Sequence, residues 1–597
     1  MSSPQMTRMF GFFPGCLLSW PLPLPLPLFL DFPMNAIRSA PAVPPSVKSV
    51  RPTGKVRRGG VRGDLPCGAV VGRLRSRARA SRRASPRPND SHPRPLRLPL
   101  SRNEGGPMTL DRIRRIARTW RINTLNTAVY VASGGTKTLH EGHFARWRGT
   151  WRNWSRTFEC QPERFETPGT EAELCRIVRE SEKVRVVGGG HSFNRCPLTQ
   201  GTLISLDAQN RVLEVDMERR VVRVQAGIRL RDFTRRLLEH GLALPVLGST
   251  NAQSLGALIG TDLHGTGRSH GFLSEQVLSL RVVDAAGEAR TLRRGTPGFH
   301  AVAGSIGTCG VVTELELQCV PAFNLEKRLE VVPRRWAEDH LDEILGTNDH
   351  VSFYYVGGID AEHVRMNVWN RSTRPPSRFW HLRKMGLELL DMSLSGYLLG
   401  LSRVLMLTEP FAKVGLFFMK FTQQGRKTVL PMCSAFSRQL FYHHDEIEYG
   451  VPFAVHQRCL QDVFDLLKRR RFVCIVEVRF TPATSMATVG PGVGRRTCFI
   501  ELAPSLSVDS SSVFAEAEQI FLKYGGQVHL GKATRATEED MERMYGVRWH
   551  ALRTVQRAQD PDGKFVNDFV ARVFGPTRRL ETRDEDAPTP EPVVSWG

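Results

Sequence analysis

The sequence predicts an α+β protein, two folded units behind a basic segment that does not fold, and three observations predict it. Residues 1–107 carry 18 Lys and Arg against 4 Asp and Glu and hold 18 of the 38 prolines. From Phe158 onward, helix-like and strand-like runs alternate around three glycine-rich loops. Past Pro321 the pattern changes to long strand-like runs joined by helices, a second α+β unit.

The first segment accounts for +14 of the formal net charge of +24. Its PLPLPLPL and VGRLRSRARASRRASPRP stretches cannot bury enough apolar surface to order a chain, so disorder is expected over 1–107. FFPGCLLSWPLPLPLPLFL is apolar, but its alternate prolines bar the helical core of a secretion signal. GGPMTLDRIRRIARTW offers Met108 as an alternative start. A basic tail can attract nucleic acid or an anionic membrane, yet no folded nucleic-acid motif accompanies it, and the folded region is expected to bind none. Eleven widely spaced cysteines form no CxxC pair. A disulfide framework and a metal site are therefore not expected, and reduced thiols in the cytoplasm are. Cys196 reads as a small core residue.

Taken in order, ETPGTEAELCRIVRESEKVRVVGGGHS reads as loop, helix, strand and turn. Thr170 and Glu173 stand at capping-box spacing, Leu174, Ile177 and Val178 form an apolar stripe, and VRVV is a short buried strand. TLISLD, NRVLEVD and RVVRVQAG follow as strands, then IRLRDFTRRLLEHG as a helix stopped by Gly241. The loops GGGHS, LIGTDLHGTG and GSIGTCG exceed what turns require. Glycine permits close backbone approach, and loop N–H groups are donors for phosphate oxygens, although none of the three has the GxGxxG spacing. Beyond Pro321, HVSFYYVGG, HVRMNVWN, DEIEYGVPF, FVCIVEVRF and RTCFIELAP read as strands. Residues 385–421 are unusually apolar but too short in their charge-free run for a bilayer span; core helices and peripheral membrane contact are the two readings. Residues 578–597 read as a frayed tail.

The ordered run VVGGGHSF, GTLISLD, RVLEVD, VRVQAG, GALIGTDLHGTG and AVAGSIGTCGVVTELEL resembles the FAD-binding domain of the vanillyl-alcohol-oxidase flavoprotein superfamily. EIEYGVP, the EVR strand, HLGK and DPDGKFVNDF narrow the resemblance to the aldonolactone and alditol oxidase group over about residues 150–575. That implies a two-subdomain FAD-binding domain at 150–322, a substrate or cap domain at 323–530, and a segment at 531–577 returning to the flavin. It also implies an enzyme that oxidises a CH–OH carbon of a sugar-derived polyol or aldonolactone, with oxygen or another molecule as electron acceptor. A lipid or sterol reductase sharing the cofactor domain, and a basic nucleic-acid or membrane-binding protein, are the alternatives.

In this group the histidine after the glycines is joined covalently to the flavin, which makes His191 the expected tether. Val187, Gly188, Gly189, Gly190, Ser192, Thr261, His264, Gly265, Thr266, Gly267, Ser305, Gly307, Gly310 and Val311 are the other expected cofactor-binding residues. Glu477 and Arg479 share one face of a strand by their spacing, which a structural ion pair also explains. The resemblance gives Glu477, Arg479 and Lys532 the active-site roles: Glu477 to hold a substrate hydroxyl, Arg479 to stabilise negative charge on the flavin, Lys532 to stabilise the substrate oxygen. Thr266 is expected to donate its hydroxyl to substrate or flavin. The chain departs from the group at Leu530, where an aromatic residue is usual, and at Asp262 and Leu263, where a small residue and threonine are.

Overall fold

Helix α1 (Leu110–Ala132) opens the folded region, capped by the Thr109 hydroxyl, which accepts from the N–H of Arg112. The structure is a computed structural model, and it describes residues 109–135, 139, 141–392, 410, 413–414, 424–438 and 442–576, which fall in one compact unit. The expectations for 1–107, for 578–597 and for most of 385–421 lie outside the described residues.

Strands β1 (His143–Ala145), β2 (Thr150–Arg152) and β3 (Glu159–Cys160) form a small antiparallel sheet. Strands β4 (Arg164–Glu166), β5 (Val184–Val187) and β6 (Thr202–Ser205) form a parallel sheet in the order β4-β6-β5. The parallel pairing of β4 and β5 with β6 needs crossovers, and α2 (Glu171–Glu180) supplies the first, burying Leu174, Ile177 and Val178. Thr170 caps α2 as its sequence predicts, but the reciprocal bond differs: the Glu173 carboxylate takes the N–H of Gly169 (2.8 Å), one residue earlier.

Strands β7 (Val212–Asp216) and β8 (Val221–Gln225) lead into α3 (Leu230–Glu239), which ends at Gly241 in the left-handed region (φ 67°). The two-residue strand β9 (Leu242–Ala243) precedes the short helix α4 (Leu255–Gly260). With β10 (Val277–Val283), β11 (Ala289–Arg293) and β12 (Val311–Gln318), β7 and β8 complete an antiparallel sheet in the order β11-β10-β12-β8-β7. Strand β13 (Val320–Pro321) pairs with β9.

The remaining strands, β14 (Asn324–Pro333), β15 (His350–Gly357), β16 (Asp360–Ser372), β17 (Lys427–Pro431), β18 (Ile447–Pro452), β19 (Cys474–Thr481), β20 (Thr497–Ala503) and β21 (Gln527–Val528), form one antiparallel sheet ordered β17-β14-β16-β15-β19-β20-β18-β21. Its middle strands contain the five runs that the sequence marks as strands. Beyond it the chain returns to the first unit. The N–H of Phe193 donates to the Gly531 carbonyl (2.8 Å), the Asn194 amide to that of Leu530 (2.6 Å), and the Asn567 amide to that of Leu198 (2.7 Å). One hydrophobic core runs from Leu174 to Phe574 through both large sheets.

Candidate active site

The glycine loops and the large sheet open onto one cavity. The turn after β5 is anchored by its carbonyls: Gly189 accepts from Gly142 N–H (2.9 Å) and Gly190 from Trp154 N–H (2.8 Å). Gly190 has φ 69°, and a Cβ there would come within 2.7 Å of the Gly142 Cα, so both the torsion and the space demand glycine. The turn delivers His191 to the cavity, its ring stacked on Trp154 (5.1 Å between centroids, 13° between planes). Trp154 also stacks with His443 (4.9 Å, 21°). In the third loop, Gly307 (φ 77°) lines the cavity, and a Cβ on it would meet nothing within 4 Å, so its missing side chain is open space for a ligand.

The sheet contributes charge. Glu477 on β19 lies directly opposite Glu501 on β20, which lies directly opposite Glu448 on β18. Like charges facing each other across strands are destabilising, so this row persists only with cations against it. Arg479 donates to Glu448 (2.6 Å) and Glu501 (2.8 Å) and lies 3.6 Å from Glu477. Lys532 donates to Glu446 and lies 3.4 Å from Glu501 and 3.9 Å from Glu448. Glu446 in turn bonds His444 (2.6 Å), and His264 Nε2 is 3.2 Å from Glu448.

Burial and the partners compete in setting protonation. Burial alone would lower the Lys532 pKa, but Glu446, Glu501 and Glu448 outweigh it and raise it, keeping the ammonium charged. Burial opposes ionisation of Glu446, yet Lys532 and His444 draw it down to about 2. Glu448 is likewise held well below the carboxylate range, chiefly by Arg479 acting against burial. For Glu501 burial wins, reinforced by Glu446, and pushes it up to about 8, so this carboxyl keeps its proton at neutral pH. Burial lowers His529 to about 3 and also lowers His264, leaving both rings neutral. His264, Glu448 and His529 each bring a donor atom within 4.8 Å of the others. A divalent cation there would face the Arg479 guanidinium already bonded to Glu448, and the arrangement assigns no metal.

Of the residues named from sequence, Val187, Gly188, Gly189, Gly190, His191, Ser192, Thr261, His264, Gly307, Gly310, Val311, Arg479 and Lys532 line the cavity. Gly265, Thr266, Gly267, Ser305 and Glu477 are not among its lining residues. Thr266 needs correction: its hydroxyl donates to the Val351 carbonyl and lies 3.4 Å from that of Phe480, so the loop beyond His264 is stitched to the large sheet instead of facing the cavity. The Gly265 and Gly267 N–H groups go to the carbonyls of Gly271 (2.9 Å) and Phe480 (3.2 Å), and the Ser305 hydroxyl to that of Val302 (2.9 Å). Glu477 meets Tyr354, its cross-strand neighbour, and lies 3.6 Å from Arg479. Sequence reasoning does not reach Glu446, Glu448, Glu501, His529 or Trp154. Glu446 and Glu448 repeat the alternate spacing of Glu477 and Arg479 within an apolar strand, a signal present in EIEYGVP.

Residues 315–573 match the D-arabinono-1,4-lactone oxidase family, and residues 162–293 the FAD binding domain family. L-gulono-1,4-lactone dehydrogenase of Mycobacterium tuberculosis is 31% identical over 435 residues, covering 71% of this chain and 99% of that protein. The chain belongs to the aldonolactone oxidase and dehydrogenase family. Mus musculus L-gulonolactone oxidase is 29% identical over 440 residues, covering 71% of this chain and 98% of that protein. A solved solvent-stable cholesterol oxidase is 16% identical with a TM-score of 0.56 over 71% of this chain and 97% of that one, a likeness of fold alone. As a member of the aldonolactone oxidase family, the protein is an FAD-dependent oxidoreductase acting on CH–OH groups, with the two-subdomain FAD-binding domain and cap of the vanillyl-alcohol-oxidase type. The cavity fits that cofactor: glycine leaves its wall open at Gly307, and the charged row of the sheet borders the same space. Among the described residues no helix is long and apolar enough to cross a membrane.

Proposed function

We propose that the protein oxidises a CH–OH carbon of an aldonolactone, with sugar-derived polyols as a second substrate class, and that its FAD is attached through His191. The observation that carries this reading is the meeting of Lys532, Arg479, Glu446 and Glu448 with the glycine loops around one cavity. Bound FAD supplies the hydride acceptor and passes electrons to oxygen or another acceptor. The chain's own residues supply position and charge. Lys532, kept as an ammonium chiefly by Glu446, is no base; it donates a hydrogen bond to the substrate oxygen and stabilises the negative charge that develops there. Glu446 and Glu448, ionised beside it, accept hydrogen bonds from the polyhydroxy substrate. Arg479 provides a fixed positive charge at the cavity, held in place by Glu448 and Glu501. His191 presents an imidazole to the cavity, and a neutral ring nitrogen is a competent nucleophile for a covalent link. In this reading 150–322 hold FAD, 323–530 the substrate, and 531–577 bring Lys532 back to the cofactor.

The test is anaerobic mixing of the purified yellow protein with L-gulono-1,4-lactone, D-arabinono-1,4-lactone and an alditol. Loss of the visible flavin absorbance with a lactone is expected, and no bleaching by any of the three overturns the substrate class. Acid precipitation reads the linkage: colour staying with the pellet is expected, and colour passing wholly to the supernatant overturns the His191 tether.

A further inference from the structure

Arg185 stands on β5, three residues before Gly188 of the Gly188 to Gly190 turn, and is 4% exposed. Its guanidinium donates to three carbonyls, one from the adjoining loop and two from distant regions of the chain. Nε donates to Cys196 (2.7 Å), Nη1 to Phe565 (2.6 Å) and Nη2 to Ile306 (2.8 Å). Cys196 lies in the loop that follows His191, Ile306 in the Gly307 loop, and Phe565 in the returning C-terminal segment; all three border the cavity, as does Arg185 itself. Among the described residues no carboxylate lies within ion-pair distance of it. Asp560, whose carboxylate is spent on the N–H groups of Lys564 and Phe565, acts on it only through space.

A buried cation matched only by carbonyl dipoles is costly, and guanidinium does not shed its proton to escape that cost. FAD brings an anionic diphosphate into the cavity that Arg185 lines. We infer that Arg185 is a cofactor-positioning residue, a buried charge that the diphosphate balances and a three-way staple that couples FAD binding to docking of the segment around Phe565. The inference rests on the cavity holding FAD. Loss of the charge weakens binding of the diphosphate-bearing ligand in particular, whereas loss of the fork loosens the segment around Phe565.

The test uses the His191→Ala background, in which flavin can be removed and returned, and compares it with the same protein carrying Arg185→Gln or Arg185→Lys. Flavin fluorescence quenching gives the affinity for FAD and for riboflavin, which lacks the diphosphate. Arg185→Gln is expected to weaken FAD at least tenfold while moving riboflavin less than twofold. Arg185→Lys is expected to restore most of the FAD affinity and still raise hydrogen exchange at residues 563–567 in the apoprotein. Equal weakening of both ligands, or unchanged FAD affinity, overturns the inference and leaves Arg185 a purely structural residue. If Arg185→Gln does not fold, Arg185→Lys decides alone, and hydrogen exchange identical to the parent overturns it. Failure of the parent background to bind FAD at all refutes the reading of the cavity, a separate result.

Discussion

Lys532 and Arg479 are the two cations against a row of four carboxylates, Glu446, Glu448, Glu477 and Glu501. Lys532→Met removes positive charge where the substrate oxygen becomes negative; FAD stays bound, and flavin reduction by substrate slows about 100-fold, the scale of losing one such electrostatic contact. Anaerobic rapid mixing checks this, and a rate equal to that of the parent removes Lys532 from the role. Arg479→Ala strands the ionised Glu448 in the interior and is expected to cost about 3–5 kcal/mol in denaturant unfolding, because a buried pair broken on one side leaves an uncompensated charge. It also lowers the flavin potential, whereas Glu477→Gln, which acts on a carboxylate that is not among the residues lining the cavity, leaves the potential in place. A redox titration in which only Glu477→Gln moves the potential would reverse these roles. Asp262 is fully buried at φ 50°, bonded to Ser274 (2.8 Å) and Ser485 (2.6 Å), and burial pushes its pKa from 3.8 to about 6. A carboxyl raised on folding stabilises the protein below its unfolded pKa, and that stability is lost as pH rises through 3.8 to about 6. The loss amounts to about 3 kcal/mol at about 1.4 kcal/mol per unit. Asp262→Asn is expected to flatten the stability profile over that window; an unchanged slope would assign it to another group.

Two glycines in different loops show what each element needs. A Cβ on Gly189 would overlap the Ala252 carbonyl oxygen, which is backbone and cannot swing aside. Gly189→Ala is therefore expected to lower the yield of folded flavoprotein sharply. Gly307 has open space around a Cβ and only its φ of 77° to protect, a strain of about 1 kcal/mol for alanine. Gly307→Ala is expected to fold with a small loss in melting temperature while its methyl group intrudes on the cavity and weakens flavin. Circular dichroism and the flavin-to-protein absorbance ratio separate the two outcomes; a Gly307→Ala protein with full flavin content would place the cofactor away from that loop. Helix α1 illustrates the opposite case, an element with no clear mark in the sequence. Its buried positions are Ile116, Thr119, Ile122, Asn123, Asn126 and Tyr130, half of them polar. Thr119 donates to the Arg115 carbonyl one turn back (2.9 Å), while others find partners off the helix: Asn123 accepts from the N–H of His443 (2.9 Å), Asn126 from that of Leu139 (2.7 Å), and Tyr130 donates to Glu388 (2.6 Å). An apolar stripe is what periodicity detects, and here hydrogen bonds replace it.

Across the whole molecule, residues 1–107 hold +14 of the net charge of +24, while the described fold begins at Thr109. Deleting 1–107 is expected to leave flavin content and lactone-dependent reduction intact and to abolish most salt-sensitive retention on a polyanionic resin, because charge density drives such binding. Retention that survives the deletion would place the anion-binding surface on the folded region. The returning C-terminal segment is tied to the first part of the described fold: Lys532, Gly531 and Phe565 lie hundreds of residues from the loops they complete.

The sequence by itself determined the elements that depend on local chemistry. Strands β6, β8, β15 and β19 declare themselves by apolar runs, α2 by its Thr170 cap, and the cofactor loops by glycines whose torsions or contacts exclude a side chain. Only the tertiary structure decided which charges meet. Glu477, Glu501 and Glu448 face one another because three strands pair in one register, and no spacing along the chain encodes that register. The same reason turns Thr266 to the Val351 carbonyl and gives Arg185 three carbonyls from three loops: a hydrogen bond is chosen by proximity in space, which the fold sets after the elements have formed.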